Sequence, residues 1–351
     1  MELNIDLLSR ICKAPGAPGY EGPIRQLVLD ELASLADEVK VDNLGNVIAL
    51  KKGQNTPEHK KVMVAAHMDE IGFIVTHVDD AGFVRFHTLG GFDPKTLTAQ
   101  RVIVHGKQDL VGVMGSKPIH VMSQEERNKL PKTTDYFIDL GLPKEEVEKY
   151  IRVGDPITRE RDLIEVGECV NGKSIDNRVS VFVLIEALRA LKNPPYDVYA
   201  VFTVQEEVGI RGANVAAHQI DPDFGLGLDT TIAFDVPGAP AHERVTQLGK
   251  GAAIKIMDAS TICDPRMVDF LQTTAEKSNI SWQPEILTAG GTDTAGVQRM
   301  GKRGAIAGAI SIPTRHLHQV IEMAHKKDIA DCIDLLQSAL HTFDKYNWAH
   351  S

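Results

Sequence analysis

The feature that most limits how this chain can fold is the alternation of short apolar runs with longer helix-like segments. Residues 62–66 are apolar throughout, as a strand covered on both faces must be. Further strand-like, mainly apolar runs lie at 47–50, 198–204, 224–228, 253–257 and 305–310. The run at 62–66 follows a polar loop at 53–61. Helical patterns lie at 178–191, 211–219, 264–279 and 326–346, the first of them rich in Val, Leu and Ala and bounded by Asn193-Pro194-Pro195. The first 36 residues predict two helices, with Leu7, Leu8 and Ile11, then Ile24, Leu27, Val28 and Leu32, separated by the Ala-Pro-Gly-Ala-Pro-Gly turn at 14–19. Strands alternating with helices imply an α/β sheet layered with helices.

Between about 70 and 165 the texture changes. Closely spaced runs at 71–76, 83–88, 101–105, 110–115 and 136–140 are punctuated by Gly and Asp, with little helical period, and predict a separate β-rich module. No internal repeat of solenoid length is present.

Charge and composition exclude several partners. Lys and Arg number 38 against 48 for Asp and Glu, a formal net charge of -10 that gives a nucleic acid or an anionic membrane no general attraction. Aromatics are 5% of residues, with Trp282 and Trp348 the two tryptophans, so stacking platforms for a polysaccharide are sparse. Cys12, Cys169, Cys263 and Cys332 are scattered without metal-finger spacing, and are expected as free thiols in a reducing compartment. The first residues lack the basic start and apolar run of a signal peptide, and no stretch nears the ~20 apolar residues that span a bilayer. A soluble, cytoplasmic protein is the expectation.

In an α/β sheet, ligands collect at the carboxyl ends of strands. The residues that follow the apolar runs are His67-Met68-Asp69, Gln205-Glu206-Glu207-Val208-Gly209, Asp229-Thr230 and Pro313-Thr314-Arg315-His316-Leu317-His318. Asp176-Asn177-Arg178 stands just before the buried helix at 178–191. Taken singly, each fragment is an ordinary surface pair or helix cap. Together they bring two imidazoles and several carboxylates to strand ends, where burying them unpaired is costly, so they point to a shared metal site. Nitrogen and oxygen donors without thiolate suit zinc, cobalt or manganese in an open catalytic site. His67, Asp176, Glu207, Asp229 and His318 are enough for two metals if Asp176 bridges. Glu206 is then left beside a ligand, where a general base belongs, and Asp69 can orient the His67 ring.

These motifs resemble the glutamyl aminopeptidase family of co-catalytic dizinc metallopeptidases, which includes the tetrahedral (TET) aminopeptidases. The likeness runs over nearly the whole chain and takes in Gly112-Val-Met-Gly115-Ser-Lys117-Pro118-Ile-His120 and Gly290-Gly291-Thr292-Asp293. His316 departs from the pattern, standing where an aromatic such as Tyr is expected, and is not assigned as a ligand. The resemblance implies a three-layer, mixed-sheet zinc-peptidase domain formed by residues 1–69 and 166–351, with an inserted β-barrel-like dimerisation domain at 70–165. It implies two divalent metal ions per subunit, zinc first with cobalt or manganese as alternatives. His67 and Asp229 would hold one, Glu207 and His318 the other, with Asp176 between them, Glu206 as base and Asp69 as helper. The implied reaction is hydrolysis of the N-terminal bond of short peptides. Thr292, Asp293 and His120 are assigned to substrate binding and dimers to assembly into a hollow tetrahedral dodecamer, while the polar, charged loop 117–131 is open to two readings, one reaching toward a neighbour's active site and one merely solvated. Three other readings stay open: a cellulase-like glycosidase, a deacylase of the same fold, and an inactive peptide-binding shell.

Overall fold

The computed structural model describes residues 2–54 and 59–350. The polar loop expected at 53–61 therefore falls partly outside the described residues. The apolar runs assemble into one eleven-stranded sheet. Its main path is Glu38–Val41, Val47–Lys51, Asp197–Thr203, Lys61–His67, Phe224–Ile232, Ile306–Arg315, Glu322–His325, Cys169–Gly172 and Ile164–Val166. Ala252–Met257 pairs antiparallel with Ile306–Arg315 and parallel with Trp282–Ile286. The central four strands, from Asp197–Thr203 to Ile306–Arg315, are mutually parallel, while the flanking pairs on the path are antiparallel. The sheet is thus mixed, with its parallel heart buried as parallel strands require.

Helices cover both faces, giving three layers. On one side Ile175–Ala190 is enclosed by Ile5–Lys13 and Lys326–Leu340, and its Phe182, Leu184 and Leu188 join Leu8, Val64, Phe202 and Leu336 in the principal core. A helix apolar on every side must be covered on every side, which accounts for that central place. On the other side Arg211–Ile220 and Thr294–Arg299 pack over Met63, Ala65 and Val201.

The β-rich stretch closes into a six-stranded antiparallel barrel, in the order Gly72–Val78, Val84–Leu89, Phe137–Asp139, Asp109–Gly115, Arg101–His105 and Pro156–Arg159. Alternate residues face inward, so Phe73, Val75, Val84, Val102, Val104, Ile138 and Ile157 fill it with a core separate from those of the sheet.

Several boundaries differ from those read in the sequence. The runs at 224–228 and 305–310 extend to Ile232 and Arg315, because the two strands pair row by row from Phe224 with Ile306 to Ile232 with Thr314. Asp229 and Pro313 therefore lie within strands that the apolar pattern places before them. The helix expected over 326–346 stops at Leu340 and gives way to a 3-10 turn at Phe343–Lys345. The module read as lacking helical period contains the helix Lys144–Tyr150, whose Val147 plugs the barrel core. Among the described residues no helix is long and apolar enough to cross a membrane, and all four cysteines are free.

Candidate active site

His67 is the last residue of its strand, and the register that pairs Val62 with Phe224 and Ala65 with Gly227 carries Asp229 to the same level. On the other flank Thr203 pairs with His67, so the turn after that strand delivers Glu206 and Glu207 beside it. Asp176 and Asn177 have non-helical backbone angles, and regular helix begins at Arg178. Asp176 is held by its amide, which donates to Glu322 Oε2 at 2.9 Å, while Asn177 Nδ2 donates to Leu228 O at 2.9 Å. His318 sits just past the strand Ile306–Arg315 with φ +62°, in the left-handed region that a side chain adopts only at some cost.

The five expected ligands come together. His67, Asp176 and Asp229 offer donor atoms that lie within 4.8 Å of one another, and so do Asp176, Glu207 and His318, so Asp176 belongs to both groups. His67 Nε2 is 3.5 Å from Asp176 Oδ1, 3.7 Å from Asp229 Oδ1 and 3.8 Å from Glu206 Oε2. His318 Nε2 is 3.3 Å from Asp176 Oδ2 and 3.6 Å from Glu207 Oε2. Glu206 is in neither group, though its carboxylate faces the first.

Asp69 does two things. Its backbone carbonyl lies 3.1 Å from His67 Nδ1, closer than its carboxylate at 3.4 Å. The carboxylate accepts from the amides of Glu206 at 3.0 Å and Glu207 at 3.1 Å, tying the glutamate turn to the histidine strand. Next to it, fully buried Glu70 receives both charges of a supporting cluster. Lys173 Nζ donates to its two oxygens at 2.8 and 2.9 Å, and Arg178 Nη2 lies 3.5 Å away. Arg178 also donates to the carbonyls of Ile11 and Ala14 at 2.6 and 2.7 Å. A Cβ at Gly16 would stand 2.6 Å from Arg178 Nη2, which is why the turn at 14–19 needs glycine there. Removing one partner from a buried pair of this kind typically costs ~3–5 kcal/mol.

The electrostatics describe a largely buried cluster crowded with negative charge. Burial works against a charged His67 imidazole, yet Asp176, Asp229 and Asp69 hold it well above the usual histidine range. His318 is likewise held up to about 9 against burial, by Asp176 and Glu207. Burial, then the Asp176 charge, pushes Glu207 up to about 8, and burial followed by Asp229 and Asp293 drives Glu206 well up. Glu207 Oε1 is buried and accepts no hydrogen bond. Convergent nitrogen and carboxylate donors, an orphaned carboxylate oxygen and excess negative charge fit divalent cations.

The donors line one side of a cleft of about 780 Å³. Its walls include Phe92, Ile232, Leu287, Leu317 and Thr292. Thr292 is thus in the cleft as expected. Asp293 is not: it is 1% exposed, packed behind the donors, and accepts from the Thr203 hydroxyl. Asp293 holds a place in the supporting structure, because the helix Thr294–Arg299 starts there and turns its side chain inward. His120 is exposed in a short turn of the barrel module and does not line this cleft. His316 is exposed and belongs to neither donor group.

Sequence reasoning missed Glu322, Glu70, Lys173, Lys255 and Asp258. Lys255 had a legible signal, being a charged residue inside an apolar strand. Glu322, in a four-residue strand, had none.

The sequence pattern of the M42 glutamyl aminopeptidase family matches residues 45–335. A lysyl aminopeptidase of Pyrococcus furiosus is 36% identical over 342 residues, covering 95% of this chain and 96% of its own. An aminopeptidase from the archaeon Desulfurococcus kamchatkensis superposes with a TM-score of 0.92 at 39% identity, over 96% of this chain and 94% of its own. The TET1 peptidase of Pyrococcus horikoshii, described as assembling into a tetrahedron or a large octahedral shell, superposes with a TM-score of 0.85 at 31% identity, over 96% and 98%. A structure from Thermotoga maritima named an endoglucanase superposes with a TM-score of 0.80 at 30% identity, over 96% and 97%.

Proposed function

The chain belongs to the M42 glutamyl aminopeptidase family and is a peptidase of the aminopeptidase kind, and from that premise we propose that it hydrolyses the N-terminal bond of short peptides with Glu206 as general base. The observation that carries the mechanism is the pair of donor groups sharing Asp176, with Glu206 facing them from outside both. Two divalent cations, zinc first with cobalt or manganese as alternatives, would be held by His67 and Asp229, by Glu207 and His318, and by Asp176 in common, supplying Lewis acidity to the scissile carbonyl and an anchor for the free α-amine. Glu206 takes a proton from the attacking water and returns it to the leaving amine. Asp69 fixes the amides of Glu206 and Glu207 and backs His67, so the base and one donor move as a unit.

The barrel and the loop 117–131 would form the contacts between subunits, first in dimers and then in a tetrahedral dodecamer, with His120 presented toward a neighbour. Val111, Ile119, Val121 and Leu130 are 59–78% exposed there, an apolar surface that suits burial against another copy.

A glycosidase reading has the endoglucanase-named structure behind it. Glycoside cleavage needs two carboxylates about 5–9 Å apart flanking one bond, whereas Glu206 and Glu207 are adjacent on one turn, and Phe92 is the single aromatic among the described residues lining the cleft. A deacylase would not require a free α-amine. The test compares a dipeptide with its N-acetylated form, with and without chelator. We expect turnover of the free dipeptide alone, lost on chelation. Equal turnover of both forms, or sugar release that survives chelation, would refute the reading.

A further inference from the structure

Arg159 ends the barrel strand Pro156–Arg159, two residues beyond Ile157 and so on the face that Ile157 turns into the barrel core. Its side chain is 1% exposed, and none of its three guanidinium nitrogens has a hydrogen-bond partner among the described residues. A buried cation left in this way is costly and calls for an anion close by. The guanidinium stands over the Phe92 ring, with Cζ 5.8 Å from its centroid, and Phe92 lines the cleft. On the sheet side there is a complementary orphan. Glu322 is fully buried, and its Oε2 accepts from the Asp176 amide at 2.9 Å while its Oε1 has no partner among the described residues. Burial raises Glu322, and the Arg159 guanidinium is the foremost charge opposing that rise. Glu70, by contrast, is already engaged by Lys173 and Arg178.

We propose that Arg159 is a positioning residue for the shared donor Asp176: the barrel supplies the buried cation that keeps Glu322 in place, and Glu322 holds the Asp176 backbone. This rests on the reading of the donor groups as a metal site, and it gives the barrel a part in that site. Asp176 needs such a hold because its own segment is non-helical and regular helix begins only at Arg178. It belongs to both donor groups, so a shift of its backbone disturbs both at once. A buried carboxylate with no cation to answer it is expensive, and Glu322 deprived of Arg159 would leave the Asp176 amide for a better solvated place.

The test uses the full-length protein stripped of metal, with zinc affinity read by competition against a chelating dye and the thermal midpoint followed alongside. Arg159→Met should weaken zinc binding about tenfold, the usual scale for residues that orient metal ligands. Glu322→Gln keeps an oxygen for the Asp176 amide and removes the charge that Arg159 answers, so in that background Arg159→Met should cost less than about twofold. A tenfold loss in both backgrounds, or no loss in either, would overturn the proposal. Val104→Ala is the control for stability, since Val104 pairs with Ile157 and fills the barrel core. It should lower the midpoint with zinc affinity within about twofold of the parent, and an equal loss of zinc affinity there would show that Arg159 acts only through barrel stability. If Arg159→Met fails to fold, folding of the double variant with Glu322→Gln supports the pairing, and its failure overturns it. A parent protein that binds no zinc would overturn the metal reading and this inference with it, whereas zinc binding that follows the pattern without peptide turnover would count against the aminopeptidase reading alone.

Discussion

Glu206 and Glu207 are chain neighbours with the same side chain, and the fold gives them different surroundings. Glu207 Oε2 is 3.6 Å from His318 and belongs to a donor group, while Glu206 faces His67 at 3.8 Å and belongs to none. Glu206→Gln should therefore lower kcat by ~100-fold or more, leaving metal content and KM close to the parent values. Loss within tenfold, measured by steady-state kinetics on metal-loaded protein, would remove the base from that position. Glu207→Gln should also lose metal, which elemental analysis reads directly. The thiols give a second residue-scale expectation. Burial pushes Cys12 and Cys263 up to about 12 and Cys332 well above the usual thiol range, and burial also raises half-buried Cys169. A raised pKa leaves the reactive thiolate scarce below it. Iodoacetamide at pH 8 should label native protein slowly and at Cys169 alone, faster as pH rises, and label all four cysteines after unfolding. Fast labelling of Cys12 or Cys332 in native protein, seen by peptide mass analysis, would contradict the packing.

At the scale of elements, the candidate donors were legible because the fold puts them where short apolar runs stop. His67 closes its strand, Glu206 and Glu207 follow the next one, and the regular helix after Asp176 begins at Arg178 as its pattern indicates. The barrel strands were readable from spaced runs broken by Gly and Asp. What escaped was set by distant partners. Phe224–Ile232 and Ile306–Arg315 prolong each other by pairing, so no local pattern marks their ends. Ile164–Val166, Cys169–Gly172 and Glu322–His325 are three or four residues long, too short to show a period, and exist through one another's hydrogen bonds. Glu322 reaches Asp176 from 146 positions away, and Glu70 meets Lys173 across 103. Asp293 looked like cleft chemistry from its Gly-Gly-Thr-Asp setting, and the helix that starts there turns it into the interior.

For the whole molecule, the sheet carries the candidate site and the barrel carries a separate core with several exposed apolar side chains. Val111 and Val121 are 61% and 63% exposed, so Val111→Asp with Val121→Asp should leave the fold intact and shift light-scattering mass toward smaller species. An unchanged mass would place the subunit contacts elsewhere. The donor groups matter at this scale too, because cations bound to the native state alone stabilise it by mass action and relieve the repulsion among buried carboxylates. The most direct test of the account is to strip the protein of metal and titrate zinc back, following bound equivalents, aminopeptidase rate and thermal midpoint together. The account predicts an inactive protein of lower midpoint that regains activity as two equivalents per subunit bind. Full activity in the stripped protein, or activity complete with no zinc bound at the His67 and His318 groups, would contradict it.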